Sequence, residues 1–229
     1  MDYLSDIELY YSPPGHNGKE ITLTGDEYKH AFKVMRHRPG DELFVTNGNG
    51  EIFDCRIKQI ERDNIILSPE KTHIYKNEFE NIFFCLPKLK NPERLEFALE
   101  KCTELGITNF FIFESERTIS KSSRLERWNK IVLSAMKQSL RSFLPKISEI
   151  KSLSMLKDYK GEKIIFEQKA ESYFANFKIN SGKKYYFLFG PEGGFTDDEL
   201  MLLDSVRIYK LAENRLRSET AIVKCASML

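Results

Sequence analysis

The sequence predicts an α/β protein in which a parallel-sheet domain follows a small β-rich module. Two observations predict this class. Short apolar runs alternate with helical patterns through the last two thirds of the chain, as in parallel α/β domains. Before them, apolar and polar residues alternate around the turn NGNG, which is typical of a β-hairpin. The chain has 229 residues, of which 41% are hydrophobic and 30% charged, as in ordinary soluble globular proteins.

The first module spans about residues 1–70 and is predicted to be barrel-like. The hairpin pattern covers residues 41–70. Upstream of it, Thr24 with Glu27 three residues later predicts a capping box and one short helix that ends near RPGD. The pattern changes near residues 69–80, which gives predicted domains of 1–72 and 73–229.

The second domain is predicted to contain five strands and the helices between them. The strands fall at 81–86, 107–113, 163–168, 184–189 and 206–211. The first helix has Asn91 as its cap, Pro92 at its first position and Gly106 at its end. Further helices are expected from about Leu125 to Leu140, from Thr196 with a capping box to Glu199, and from about Ser218.

The distribution of charge favours a polyanionic partner. The net charge is only +1, but residues 117–146 carry eight basic side chains and one acid, a local balance of +7. A second basic cluster, KHAFKVMRHR, covers residues 29–38. Solvated helix faces would explain either cluster alone, whereas two clusters in a nearly neutral chain favour a surface for a polyanion.

Several classes of protein are disfavoured. No apolar run approaches the ~18 residues of a membrane span, and the N-terminus lacks the pattern of a signal peptide. The four cysteines are far apart without a C-x-x-C pair, which predicts reduced thiols in a cytoplasmic protein. The four histidines show no H-x-x-x-H or H-E-x-x-H spacing, so no metal site is expected.

The segment FLFGPEGGF, residues 187–195, is a candidate ligand loop. It follows a predicted strand, and open α/β sheets bind ligands at the carboxyl ends of their strands. Glycines there allow positive φ angles and close approach of a ligand to the backbone. No G-K-[ST] follows, which disfavours a phosphate loop. The segment suits a ligand read by backbone groups, such as an adenine ring, although a plain strand-to-helix turn is the alternative.

A second loop, LAENRLRSETA at residues 211–221, also follows a predicted strand. It carries Arg215, Arg217 and Glu219 before an apolar helix. A structural explanation is available as well, since Ser218 could cap the helix and Glu219 could favour its positive N-terminus.

Taken together, these motifs resemble the RsmE-type ribosomal RNA methyltransferases of the SPOUT superfamily, which methylate uracil N3 in 16S rRNA. The resemblance covers nearly the whole chain. It rests on HAFKVMRHRPGD (30–41), LPKLKNPERLEFALEKCTELGI (86–107), SERTISK (115–121), KQSLRSFLPKI (137–147), FGPEGGFTDDEL (189–200) and LRSETA (216–221). This chain departs from the family at Ala212 and Leu140, where glycine is usual, and at Asn214 to Leu216.

The resemblance implies a PUA-like β-barrel domain, then a parallel-sheet domain with a C-terminal trefoil knot. It also implies S-adenosylmethionine as the methyl donor, a homodimer, and 16S rRNA or the small ribosomal subunit as the partner. The residues that it places at the cofactor are Leu188, Phe189, Gly190, Pro191, Glu192, Gly193, Gly194, Leu211, Ala212, Leu216 and Arg217.

The chemistry suggests roles for charged residues. Uracil N3 must lose a proton, so Arg217 is expected to stabilise the resulting anion and Glu219 is a possible base. The expected RNA contacts are Arg36, Arg117, Lys121 and Arg141. Two other functions stay open: a ribose 2′-O-methyltransferase, which usually has an Asn-Val-Ser-type motif where this chain has RSETA, and a non-catalytic RNA-binding assembly factor.

Overall fold

The computed structural model describes residues 7–14, 19–117, 123–203 and 206–229. The chain forms two compact units. The first unit consists of Met1–Asn77 together with Met136–Leu144, and the second consists of Glu78–Ala135 together with Pro145–Leu229. The bounds predicted from the sequence, 1–72 and 73–229, stay a prediction; they do not anticipate that residues 136–144 group with the first unit.

The first unit is built on a five-stranded sheet. Its elements are β1 (Leu9–Tyr11), β2 (Ile21–Thr24), α1 (Gly25–Lys29), β3 (Glu42–Thr46), β4 (Glu51–Ile60) and β5 (Asn64–Ile74), with a π-helical turn at His30–Val34. The strand order is β1-β3-β4-β5-β2, and NGNG joins the antiparallel strands β3 and β4 as predicted. Two register shifts between β4 and β5 bend the sheet around its apolar core.

The capping box predicted for α1 is not formed. Thr24 stands at the N-cap position, but its side chain makes no capping hydrogen bond. The Glu27 carboxylate instead accepts hydrogen bonds from the Tyr11 backbone N–H at 3.3 Å and from Lys137 Nζ at 2.6 Å. The Glu27 carboxylate therefore bonds to residues distant in sequence and does not complete the local capping box.

The second unit is built on a six-stranded parallel sheet. Its strands are β6 (Ile82–Pro87), β7 (Asn109–Phe113), β8 (Lys146–Ile150), β9 (Glu162–Phe166), β10 (Tyr185–Leu188) and β11 (Val206–Tyr209). The strand order is β11-β9-β10-β6-β7-β8, and every pairing is parallel. The prediction of five strands was incomplete, because β8 is a mostly exposed edge strand whose sequence, KISEI, has only two apolar residues.

The remaining α-helices are α2 (Pro92–Glu104), α3 (Leu125–Gln138), whose residues from Met136 onwards belong to the first unit, α4 (Asp197–Met201) and α5 (Ser218–Ala226). Among the helices of the described residues, none is both long and apolar enough to span a lipid bilayer. Most of the predicted caps are confirmed. Asn91 accepts from the Glu93 N–H at 3.0 Å, and Thr196 and Glu199 form the reciprocal capping box of α4.

Two helices end in the same turn with different residues at its left-handed position. At the end of α2, Gly106 has φ +96°, and the Ile107 N–H donates to the Cys102 carbonyl at 2.9 Å. At the end of α3, the Arg141 N–H donates to the Met136 carbonyl at 2.9 Å, and Leu140 has φ +55°. This is the Schellman arrangement, in which glycine is the usual left-handed residue.

Candidate functional site

A cleft lies at the carboxyl ends of three neighbouring strands of the second unit. β9 lies between β11 and β10, so the loops that follow these three strands meet at one edge of the sheet. The cleft has a volume of about 510 Å³, within the range of small-molecule sites. It is lined by Arg94, Phe166, Glu167, Gln168, Phe189, Gly190, Pro191, Glu192, Gly193, Gly194, Leu211, Ala212, Asn214, Arg215, Leu216, Arg217, Ser218 and Ala221.

Ten of the eleven residues predicted to contact the cofactor line this cleft, and Leu188 does not. Leu188 is fully buried and packs with Cys85 and Tyr186 in the core of the sheet. Successive side chains of a strand point to opposite faces, so Leu188 faces away from the side taken by Phe189. Its side chain therefore belongs to the core of the sheet, and its contact with a cofactor stays a prediction.

The glycine loop is a tight turn held from two sides. The Gly194 N–H donates to the Pro191 carbonyl at 2.9 Å, and Gly194 has φ +70°, which explains a glycine there. The Ser218 hydroxyl donates to the Gly190 carbonyl at 2.8 Å, and the Arg117 guanidinium donates to the Gly193 carbonyl. Ser218 thus joins the two loops of the cleft; it does not cap α5, whose N-cap position is Arg217.

A Cβ atom added at Gly193 would lie 3.1 Å from Arg117 Cδ. The missing side chain at this position therefore makes room for Arg117. The backbone of the loop remains part of the cleft lining.

The floor of the cleft is apolar. The rings of Phe166 and Phe189 stack with centroids 5.0 Å apart and an interplanar angle of 23°. The sequence does not predict Phe166, Glu167 and Gln168 as site residues, because the segment carries no glycine or charge motif. Its position at the end of a predicted strand, 163–168, was the signal that could have identified it.

Arg94, from the first turn of α2, connects the two loops and was also not predicted. Its Nη1 lies 3.7 Å from Glu192 Oε1 of the glycine loop, and its Nε lies 3.5 Å from Glu219 Oε1 of α5. Glu192 therefore pairs locally, and the cation responsible comes from a helix distant in sequence.

Glu219 does not line the cleft. It is only 9% exposed, and its Oε2 atom is buried without a hydrogen-bond partner among the described residues. Ser218 and Ala221 lie on the side of α5 that faces the cleft, whereas Glu219 is turned about 100° from Ser218. The structure thus places this carboxylate behind Arg94 and not at the surface where a ligand would lie.

Arg217 is exposed, lines the cleft and stands at the N-terminus of α5. Its guanidinium and the N-terminal end of the helix both present positive charge to this part of the cleft. The arrangement can stabilise negative charge on a bound group, which is the role that the sequence suggested for Arg217.

The expected RNA contacts fall in both units. Arg36 and Arg141 are exposed residues of the first unit, and Arg117 is an exposed residue of the second. Arg36 has φ +59° after the π-helical turn, a conformation that is costly for a residue other than glycine. Lys121 lies outside the described residues.

The balance of +7 in segment 117–146 overstates its free positive charge. The Glu96 carboxylate, from α2, accepts two hydrogen bonds of 2.7 Å from Arg127 and lies 3.5 Å from Arg124. Lys137 pairs with Glu27 in the first unit. Acids from distant parts of the sequence therefore neutralise part of the segment, which a local count cannot show.

Comparison with known proteins agrees with this fold and site. Residues 77–229 match the family model described as an RNA methyltransferase domain, and residues 23–70 match an RNA methyltransferase PUA domain. The fold and the cleft at its strand ends are thus those of an RNA-modifying transferase class. The chain belongs to the RNA methyltransferase family that this domain defines, and the resemblance and fold class predicted from the sequence are confirmed.

Three similar proteins cover nearly the whole chain. The Bacillus subtilis (strain 168) protein named ribosomal RNA small subunit methyltransferase E is 27% identical over 220 residues, covering 88% of this chain and 86% of that protein. The structure of ribosomal RNA small subunit methyltransferase E from Neisseria gonorrhoeae bound to S-adenosyl methionine has a TM-score of 0.85 at 25% identity, covering 96% of this chain and 95% of that chain. A probable rRNA-methyltransferase from Porphyromonas gingivalis has a TM-score of 0.85 at 28% identity, with 96% of each chain covered.

Proposed function

We propose that this protein is an S-adenosylmethionine-dependent methyltransferase that modifies N3 of a uridine in small-subunit (16S) ribosomal RNA. The observation that carries the proposal is the cleft formed by the loops FGPEGG and LAENRLRS at the ends of parallel strands. The similar Neisseria gonorrhoeae structure, crystallised with S-adenosyl methionine, supports the choice of cofactor. The names of the relatives support the choice of RNA.

The residues of the cleft fit this cofactor. The stacked rings of Phe166 and Phe189, with Leu211 and Leu216, offer apolar surface for an adenine ring. The backbone of the glycine loop offers hydrogen-bonding groups to the ring edges. When bound, the cofactor supplies a methyl group on a positively charged sulfur, so the chain need not supply an electrophile of its own.

The residues at the cleft act on the methyl acceptor, uracil N3. Uracil N3 lies on the Watson–Crick edge, so the base must be unpaired or flipped out of a helix to reach the cleft. As N3 loses its proton, Arg217 and the N-terminus of α5 stabilise the negative charge that develops on the uracil. With the cofactor bound, the N3 proton would pass to solvent, and N3 would take the methyl group from the sulfonium, whose sulfur would keep the bonding electron pair and leave as a neutral thioether. Glu219, buried behind Arg94, serves as a positioning residue in this scheme.

Binding of the RNA would use positive residues of both units: Arg36, Arg117, Lys121 and Arg141. Contacts with phosphates at several separate points fix the register of a structured RNA without reading its sequence. The homodimer, the C-terminal trefoil knot and a cytoplasmic location, each expected from the sequence analysis, complete the proposal.

The test is nucleoside mass spectrometry of small ribosomal subunits and 16S rRNA that lack the modification, after incubation with the protein and S-adenosylmethionine. We expect N3-methyluridine with the wild-type chain, and a loss of at least 100-fold in turnover for Arg217→Ala. Arg207→Ala is the matched control, because Arg207 is an exposed arginine of β11 outside the cleft lining. A ribose-methylated product would establish the 2′-O alternative, and RNA binding without methylation would establish an assembly factor.

A further inference from the structure

Glu167 lines the cleft at the end of its middle strand. It directly follows β9, the middle strand of the three whose ends form the site. Its N–H donates to the Tyr209 carbonyl at 3.0 Å, which fixes it against the end of β11, and its own carbonyl accepts from the Ala170 N–H at 3.2 Å. Glu167 is thus held between the glycine loop on one side and the loop 211–217 on the other.

Its carboxylate differs from the other carboxylate of the lining. Glu192 pairs with Arg94, whereas among the described residues no cationic group lies within ion-pairing distance of Glu167. The other charged groups of the lining are the cations Arg94, Arg215 and Arg217. Lys169, two residues further along the same loop, acts on Glu167 from a greater distance.

The electrostatic position of this group is unfavourable in the free protein. Burial raises the pKa of the Glu167 carboxyl, and the opposing effect of Lys169 is smaller. A half-buried carboxylate without a close partner loses hydration that nothing replaces. A positively charged group entering the cleft would supply the missing partner.

We propose that Glu167 is a specificity residue for the cofactor, whose carboxylate is the counter-charge to the sulfonium of S-adenosylmethionine. The inference rests on the proposed function. The sulfonium lies in the middle of the cofactor, between its adenosine and amino acid parts, and Glu167 lies over the middle strand between the two walls of the cleft. After methyl transfer the product, S-adenosylhomocysteine, holds a neutral sulfide. Glu167 therefore favours the donor over the product and assists product release.

The test compares the affinities of the full chain for S-adenosylmethionine and S-adenosylhomocysteine by calorimetry. Glu167→Gln should weaken binding of the methyl donor about tenfold and binding of the product less than threefold. Glu171→Gln is the matched control, a neutralised exposed carboxylate of the same loop outside the cleft lining, and should leave the ratio of the two affinities unchanged. An equal loss for both ligands in Glu167→Gln, or a loss of turnover alone, would overturn the proposal.

A second measurement needs no variant. Because a nearby cation lowers the raised pKa of Glu167, binding of S-adenosylmethionine should release protons at pH values between the ordinary and the raised pKa of this carboxyl, while binding of S-adenosylhomocysteine should release fewer. Calorimetry in buffers of different ionisation enthalpy measures this release, and equal release with both ligands would contradict the proposal. If the wild-type chain bound neither ligand, the proposed function itself would fail; if it bound both and made N3-methyluridine, only the role of Glu167 would be in question.

Discussion

Replacing Leu140 with glycine should reveal the backbone strain at the end of α3. Leu140 has φ +55°, and its N–H donates to the Lys137 carbonyl at 3.1 Å in the Schellman turn. A left-handed conformation costs a residue with a Cβ atom roughly 1–2 kcal/mol. Glycine avoids this cost but loses roughly 0.5–1 kcal/mol through the greater freedom of its unfolded chain. The net gain over a residue with a Cβ atom is therefore about 0.75 kcal/mol at the middle of the two ranges.

Leu140 is half-buried, so its side chain also contributes packing. The informative comparison is accordingly Leu140→Ala with Leu140→Gly, which both remove that packing. We expect the glycine variant to be more stable than the alanine variant by about 0.5–1 kcal/mol. Urea denaturation measures this difference by far-UV circular dichroism and by the fluorescence of Trp128, the single tryptophan of the chain, which is buried in α3.

A control position should show the opposite order. Ser134 is exposed within α3, where alanine is more stable than glycine by about 1 kcal/mol. Gly106 supplies the reverse experiment, because Gly106→Ala should destabilise the equivalent turn of α2. An alanine variant at 140 as stable as the glycine variant would refute the strain at Leu140.

Three further predictions concern charged residues. Arg94→Met should lower stability by about 1–2 kcal/mol because it leaves buried Glu219 without its cation. Thermal melts should also show that the double variant, Arg94→Met with Glu219→Met, loses less stability than the sum of the two single variants. Arg36→Gly should raise stability by about 0.5–1 kcal/mol by relieving φ +59° while weakening RNA binding in a filter assay, and unchanged RNA affinity would remove Arg36 from the interface. Glu167→Gln should stabilise the free protein at pH 7 but not at pH 4. A carboxyl whose pKa is raised in the folded protein binds more protons there than in the unfolded chain. The wild type therefore loses stability as the pH rises from the unfolded pKa to the folded pKa. Thermal melts at both pH values measure this, and equal effects at both would contradict it.

The sequence predicted those features that local patterns determine. Asn91, Pro92 and Gly106 bound a helix because each satisfies or ends the backbone hydrogen bonding of its own turn. The glycine loop and the loop 211–217 could be placed together because both follow parallel strands, whose carboxyl ends share one edge of the sheet.

The features that the sequence did not predict depend on tertiary packing. Arg94 reaches the cleft because α2 packs against α5, a contact between segments more than a hundred residues apart. The sequence predicts Glu219 as a base from its type and motif, and that role stays a prediction; it could not show that the rotation of one residue along α5 turns Glu219 away from the cleft lining. β8 escaped detection because an exposed edge strand has little apolar periodicity to detect.

The grouping of residues 136–144 with the first unit has a consequence for synthesis on the ribosome. The Gly50 N–H donates to the Ser142 carbonyl and the Leu144 N–H to the Gly48 carbonyl, both at 2.9 Å, and Asn49 forms a β-bridge with Phe143. The NGNG hairpin emerges about a hundred residues before these partners. At a translation rate of roughly 5–20 residues per second, the last segment of the first unit is synthesised roughly 5–20 s after the hairpin. The N-terminal part of the chain therefore completes its fold only while the second unit is already being translated.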